Sequence, residues 1–526
     1  MIKLEKAATK IMAAIGTAVM LFLLFYSWKY TKRLVEPECY LDEADSILVN
    51  ALLSAALLAV CAGLWKGMQK VPSKVLHLLA VISAVAAAVF GIRLAEAAGA
   101  ISMADQYYIQ RAAMALADGD AEWVLSQDYY GIYPFQLGLA EIFSFFFRIA
   151  GSTELIVIQR VQAVCGGITL YVGFRIVREL SGSRVAEFLY LAMELLFLPV
   201  YCYALFIYGE SIGTCSVLCA IWCYLMTNRS GGKIWQKVLL WVAVALSMGL
   251  AYVTRNVLLV VWIAMVIMQI LVLLRSKKWQ ALLALCGVLA VMLFCKNVLC
   301  RVAEGQLGQE YGSGAPYILW VAMGMQDNPE AQKGPGTYND YNLDTYVGTG
   351  YDSREAAEVA EADIRQRLLQ WREDPVAAVT FLKEKLLIQW IEPTYCSFNQ
   401  TRYQYKPEVW VEEFYTGRTN ERARNFLNCC QSVVYLAVFG YYLRILLGKV
   451  KEIQILPGII FLGGFFITVF WEAKSRYVYP YIVMILPCAA CSMEYYGMLL
   501  AEGLKRIVSS ISVGKKQKQK ETGKTA

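Results

Sequence analysis

KVLLWVAVALSMGLAYVTRNVLLVVWIAMVIMQILVLLRSKKWQ, residues 237–280, decides the fold. Two apolar runs, 237–253 and 256–274, meet at Arg255, and the second ends in the basic turn RSKK. A helix that crosses a bilayer needs about 20 mostly apolar residues. The stretch therefore reads as one membrane helix, a tight turn at Arg255, and a second helix running back to a lysine-rich loop.

The same pattern recurs on both sides of it. Further candidate spans are 11–28, 46–65, 76–96, 156–177, 185–203, 207–226, 280–299, 425–446, 453–471 and 478–500. Of the 526 residues 58% are hydrophobic and 17% charged, more apolar than a wet globular surface allows. The expected fold class is an all-α polytopic membrane protein with about 12 transmembrane helices, outer-face amphipathic helices and a large, mostly helical outer loop. The net charge of +7 resides largely in short loops and in the tail KKQKQKETGK, so it implies no nucleic-acid partner. That tail is too polar to pack and reads as disordered.

Charge sets the orientation. With the N-terminus inside, the inner connections are Lys66–Lys74, Arg175–Arg184, Asn228–Lys237, Arg275–Lys278, Arg444–Lys451 and the tail, all basic. Lys and Arg mark the cytoplasmic side of membrane proteins. The first span, preceded by Lys3, Lys6 and Lys10, lacks a small-residue cleavage site and reads as an uncleaved helix. Segment 135–150 reads as a helix on the outer surface, since a thirteenth crossing would put the basic Arg175–Arg184 loop outside. The expectation is a multi-pass plasma-membrane protein with both termini cytoplasmic and its chemistry on the extracytoplasmic face.

Two outer connections are long, 97–155 and about 300–424; the second exceeds ordinary loop length and should be structured. Asp352 followed by Glu355 predicts a capped helix over 353–372. Asp374-Pro375 predicts the start of another. Its apolar positions Val376, Val379, Leu382, Leu386 and Trp390, with Lys383 and Lys385 beside them, suit a membrane surface. The 311–351 stretch is rich in Gly, Tyr and Asn, a loop composition with aromatic planes to offer.

The chemistry available is narrow. The single histidine, His77, lies at the lysine-marked end, so acid–base work on the other face falls to carboxylates or tyrosines. Most of the fifteen cysteines sit in apolar segments as small hydrophobes, and no Cys/His cluster has zinc spacing. Asp105, just past the third span, is either a boundary carboxylate able to act as a base or the N-cap of the helix after it. The DGD at 118–120 reads as a helix-ending turn at Gly119 rather than a metal motif. Arg255 and Arg476 (in WEAKSRYVYP, with Glu472, Lys474 and Tyr477) are cations where a membrane protein tolerates few. Guanidinium matches phosphate through paired hydrogen bonds, though snorkelling or an ion pair with Glu472 would also accommodate Arg476.

Three blocks resemble the GT-C superfamily of membrane glycosyltransferases, close to glycosyltransferase family 39 and its relatives that use dolichyl- or undecaprenyl-phosphate sugars. They are ADQYYIQRAAMALADGD followed by YPFQLG (104–138), RIVRELSGSR (175–184) and RYVYP (476–480). The likeness covers 76–260 and 453–500. It departs where the family has Asp-Glu and this chain has Asp105-Gln106, and where Lys often precedes Pro and here Tyr133 does. Asp42-Glu43 is a rival acidic pair after the first span.

The resemblance implies a sugar moved from a polyprenyl-phosphate donor to a hydroxyl of an extracytoplasmic acceptor (lipid, polysaccharide or protein), with inversion, in cell-envelope glycosylation. It implies Asp105 as base, with Arg255, Arg476, Tyr477 and Lys474 on the donor phosphate. Gln106, Tyr107, Tyr108, Tyr133, Gln136 and Glu472 would contact sugar or acceptor. No metal or other cofactor is expected, and the partners are lipid donor, acceptor and membrane lipid. The expected organisation is 1–75, two extra helices; 76–300, the catalytic core including outer loop 97–155; 301–424, the large outer region; 425–500, C-terminal helices; and 501–526, a basic cytoplasmic tail. A polysaccharide polymerase or O-antigen-ligase-like enzyme is one alternative. A flippase or transporter is another, which should show internal repeats and mid-membrane charges.

Overall fold

The computed structural model describes residues 2–228, 233–276, 279–328 and 333–522. Lys277 and Lys278 and part of the Asn228–Lys237 connection, two of the expected inner loops, lie outside these residues.

Among the described residues eleven helices are long and apolar enough to cross a membrane. They are Leu4–Lys29, Ile47–Trp65, Ser73–Ala98, Leu155–Leu180, Glu210–Thr227, Ile234–Thr254, Asn256–Leu274, Gln280–Leu307, Arg418–Leu446, Glu452–Phe470 and Tyr479–Ile507. The remaining candidate, 185–203, folds as two pieces, Arg184–Leu195 and Pro199–Tyr203. Pro199 has no N–H to give the Leu195 carbonyl, so it opens the second piece instead of continuing the first, and the Tyr201 hydroxyl donates to that carbonyl (3.0 Å). The two pieces together still carry the chain from the end near Gln69 to the end near Tyr395, a discontinuous traverse beside the eleven helices found among the described residues.

The connections sort cleanly between the two ends. At one end the Arg184 guanidinium donates to the Gln69 carbonyl (2.7 Å) and the Gln454 amide to that of Leu180 (2.7 Å). At the other, backbone bonds join Lys32 to Ile391, Gly334 to Glu38, Ile101 to Tyr403, Ala315 to Ile132 and Ala473 to Gly336. All the long connections therefore meet at one end, away from the basic turns at 69–73 and 181–184. The helix Leu137–Ala150 starts and finishes at that same end; its 14 residues span only about 21 Å.

Small residues set the closest helix approach. The third span packs on Leu155–Leu180, where a Cβ on Gly167 would collide with the Ala84 carbonyl oxygen and lie 3.0 Å from Ala88 Cβ. Membrane helices rely on such contacts because lipid supplies no hydrophobic drive between them. Gly167→Leu is expected to lower stability by about 1–3 kcal/mol, read as a fall in melting temperature in lipid nanodiscs. Gly287→Leu, at a position with nothing within 4 Å, should leave it unchanged.

Three local results differ from expectation. Residues after the first span form an antiparallel hairpin, Tyr30–Glu36 with Cys39–Ala44. The final helix runs from Tyr479 to Thr522, taking in most of the tail that composition marks as disordered. Its Lys, Gln and Glu are good helix formers, and elongating an existing helix avoids the cost of nucleation. The helix Pro375–Trp390 does start at Asp374, whose side chain accepts from the Ala377 N–H, and Asp352 likewise caps Ser353–Glu373. However, the second half of Pro375–Trp390 is packed inside protein rather than laid on a membrane surface. Trp390 and Gln389 bond to Thr468 (3.0 and 3.1 Å), and the fully buried Lys385 donates to the Gly324 carbonyl. Burial, opposed by Glu472, pulls the Lys385 ammonium down to about 7.

Candidate active site

The site is built on an irregular stretch, Ala204–Gly209, that joins the broken crossing to the helix Glu210–Thr227. Buried irregular backbone must find polar partners within the protein, and three glutamines supply them. Gln159 and Gln162 donate to the carbonyls of Leu205 and Ala204 (3.3 and 3.2 Å). Gln106 accepts from the Ile207 N–H (2.9 Å) and donates to the Gln400 carbonyl (3.2 Å). Both ends of Gln106 thus hold backbone.

This stretch brings Glu210 against both arginines. Arg255 is the non-helical residue between the spans Ile234–Thr254 and Asn256–Leu274. A Cβ on Gly209 would collide with the Thr254 carbonyl oxygen, so only glycine allows this approach. Glu210 Oε1 then lies 3.4 Å from Arg255 Nη2 and 3.4 Å from Arg476 Nε. Both distances exceed a normal N–H···O hydrogen bond, so the guanidiniums are attracted to the carboxylate without being closed onto it. Their faces are covered by aromatic rings. Tyr208 lies 5.2 Å from Arg255 and 4.9 Å from Arg476, and Tyr477 lies 5.5 and 5.6 Å from them. Burial works against the charge on Arg476, but Glu210 and then Tyr477, Tyr208 and Asp105 hold it well above its ordinary range.

Asp105 is the first residue of the helix Asp105–Asp118, and Ala104 takes the cap position with no side-chain cap bond. The N-cap reading of Asp105 is therefore set aside. Ala104 has φ 50° and ψ −130°, a conformation that suits glycine and strains an L-residue. The Asp105 carboxylate is half-buried and accepts one hydrogen bond, from the Tyr129 hydroxyl at 3.2 Å. Burial and then the Asp105 charge hold the Tyr129 pKa well above its usual value, so this hydroxyl remains a donor. Tyr108 stacks on Tyr129 at 4.3 Å, and Tyr133 lies 5.0 Å from it. Tyr133 accepts from the Asn342 amide (3.1 Å). Gln136 donates to the Tyr208 hydroxyl, linking the carboxylate's aromatic cluster to the arginines.

The other candidates divide. Tyr107 is exposed beside Trp123. Tyr477 donates to Glu472 (2.8 Å), whose pKa is raised by burial against the pull of Lys474. Lys474 is paired with Glu38 at the hairpin turn (2.8 Å). Asp42 and Glu43 pair with Lys32 and Arg33, 2.7 Å each, within their own hairpin. DGD ends its helix at Gly119 with φ 75°, a turn.

Sequence reading missed Glu210, Tyr208, Tyr129 and Lys296. Lys296 lies within the span Gln280–Leu307 among Tyr252, Tyr317 and Phe135 (5.1, 5.9 and 5.9 Å). It reaches Asn256 Oδ1 at 3.4 Å and the Tyr317 hydroxyl at 3.3 Å. Among the described residues no carboxylate pairs with it. Ionisable residues inside apolar segments are rare enough to flag, so Glu210 in IYGESIG and Lys296 in LFCKNVLC carried a usable signal.

No protein-family model matches the sequence, and no curated protein matches it. Solved structures similar to the chain include the archaeal oligosaccharyltransferase AglB from Archaeoglobus fulgidus in complex with an inhibitory peptide and a dolichol-phosphate. The identity is 12%, covering 82% of this chain and 52% of that one, with a TM-score of 0.39; this chain thus spans about half the length of AglB. ArnT from Cupriavidus metallidurans is similar in its apo state (12% identity, 80% of this chain and 77% of that chain, TM-score 0.34). ArnT bound to undecaprenyl phosphate gives 14% identity over 81% and 78% of the two chains, with a TM-score of 0.33.

Proposed function

We propose that this chain is a GT-C-type membrane glycosyltransferase that moves a sugar from a polyprenyl-phosphate donor to an acceptor hydroxyl. The observation that carries the reading is one carboxylate, Asp105, held by a single tyrosine hydroxyl on the same side as the buried Arg476 and the partly buried Arg255. The end of the bundle bearing these groups is the extracytoplasmic one, because the basic turns lie at the opposite end and basic loops stay inside.

The reaction is a single displacement. The acceptor oxygen attacks the anomeric carbon as Asp105 takes its proton. The bond from that carbon to the phosphate oxygen breaks on the opposite face, and polyprenyl phosphate departs with the electron pair. Arg255 and Arg476 stabilise the charge that builds on the leaving group, and such preorganised stabilisation in a dry site is commonly the largest catalytic contribution. Glu210 holds the two guanidiniums in register between Tyr208 and Tyr477. Lys296, a cation with no carboxylate partner among the described residues, engages the resting donor phosphate.

The test is transfer of labelled sugar from a panel of polyprenyl-phosphate hexoses and pentoses in membranes holding the wild-type chain. Lys296→Ala is expected to raise the donor KM about 10- to 100-fold, the range for losing a charged hydrogen bond. No transfer by wild type from any donor in the panel would overturn the reading. An unchanged donor KM in Lys296→Ala would remove that lysine from the phosphate.

A further inference from the structure

A groove in the large segment between the spans Gln280–Leu307 and Arg418–Leu446 has no part in the chemistry above. Its volume is about 510 Å³, within the roughly 300–1,000 Å³ common for small-ligand sites. One wall is a single face of the helix Ser353–Glu373, carrying Asp363, Gln366, Arg367 and Gln370 at helical spacing. The other comes from Gln326, Asp327 and Asn339.

Every lining side chain is an amide or an ion, so the groove offers nothing to a lipid tail. Its cation is already committed. Arg367 pairs with Asp327 at 2.7 Å and donates to Gln370 Oε1 at 3.3 Å, and its guanidinium lies 5.0 Å from the Phe381 ring. With its one arginine paired to Asp327 and a second carboxylate, Asp363, in the lining, the groove does not suit a phosphate. A merely solvated helix face would leave these groups loose, but here they are braced. The Asn339 amide donates to Gln326 Oε1 (3.1 Å), and the Tyr341 hydroxyl donates to Asp363 Oδ2 (2.5 Å). Among the described residues, both ends of Gln366, the Gln370 and Gln326 amide N–H groups and the second Asp363 oxygen have no hydrogen-bond partner. Planar groups that donate and accept side by side match adjacent hydroxyls of a sugar ring.

From beside the groove, contacts run to Tyr133 in the tyrosine cluster that holds Asp105. Asn342, one residue beyond Tyr341, bonds Tyr133 (3.1 Å). Trp320, in the short helix just before Gln326, lies 5.9 Å from Tyr133.

We propose that this groove binds the non-reacting sugars of a neutral oligosaccharide acceptor, presenting its terminal hydroxyl to Asp105. The acceptor role rests on the transferase reading; the saccharide site does not. The test uses the full chain in lipid nanodiscs on an array of neutral and acidic oligosaccharides, with no lipid-linked donor present. Wild type and Asp105→Asn should retain neutral glycans of three or more sugars. The exposed pair Gln366→Ala/Gln370→Ala should bind them at least tenfold more weakly with unchanged melting. Binding of acidic glycans only, binding of none, or undiminished binding by the double variant overturns the proposal. Retention of neutral glycans by a chain that transfers nothing would overturn the transferase reading and leave the groove standing.

Discussion

Asp105→Asn is expected to lower the rate of sugar transfer about 10²- to 10⁴-fold, the usual worth of a positioned general base, while the donor KM stays within a few-fold of wild type. The substitution is nearly isosteric and keeps an oxygen for the Tyr129 hydroxyl. Asp105 caps no helix, so no structural bond is lost and the melting temperature should hold. The readout is single-turnover transfer alongside a melt. A full rate in Asp105→Asn would move the base elsewhere. Asp42 and Glu43 are poor substitutes, since each is paired with a cation of its own hairpin at 2.7 Å.

Arg476→Ala is expected to act on rate and stability together. Removing one partner of a buried ion cluster commonly costs about 3–5 kcal/mol, and Arg476 and Glu210 are both buried. The alanine variant also loses leaving-group stabilisation, for which about 10²- to 10³-fold in kcat is typical of one donor at an oxyanion site. Arg476→Lys should recover little of either, because an ammonium cannot fill the flat space between Tyr208 and Tyr477 as a guanidinium does. Adding Glu210→Gln to Arg476→Ala should recover part of the melting loss, since the carboxylate left behind is itself a burden, but none of the rate. The comparison is a melt and a rate for each variant. An Arg476→Ala protein that melts and transfers like wild type would remove the clamp from both roles.

Periodicity and charge made most of the helices legible. The apolar runs, the basic turns and the caps at Asp352 and Asp374 each depend on residues close in the chain. The hairpin was not legible, because its partners are Ile391, Glu384 and Lys474, hundreds of residues later. The two arginines stood out through local context alone. Glu210 looked like an ordinary boundary residue until the irregular stretch before it placed it between them. Lys474 differs: its basic, membrane-edge context suggested phosphate, and the fold also brings it Glu38, far away in the sequence. Gln106, which follows Asp105 where the resemblance favours Glu, acquires a scaffolding job that only the fold of 204–209 could reveal.

The hairpin sets an order of events during synthesis. Glu38 leaves the ribosome more than four hundred residues before Lys474, the cation it pairs with. The first span likewise packs on Arg418–Leu446, inserted long after it. Contacts so distant along a chain are slow to form. The nascent protein must therefore hold an acidic turn and an unmatched helix face until translation is nearly over. Arg476 arrives in the same closing stretch, so the cluster of Glu210 with the two arginines and the latch for the N-terminal hairpin are completed together. A polypeptide that stops before Lys474 would possess Asp105 but neither device, leaving it visible to membrane quality control through the surfaces it cannot cover.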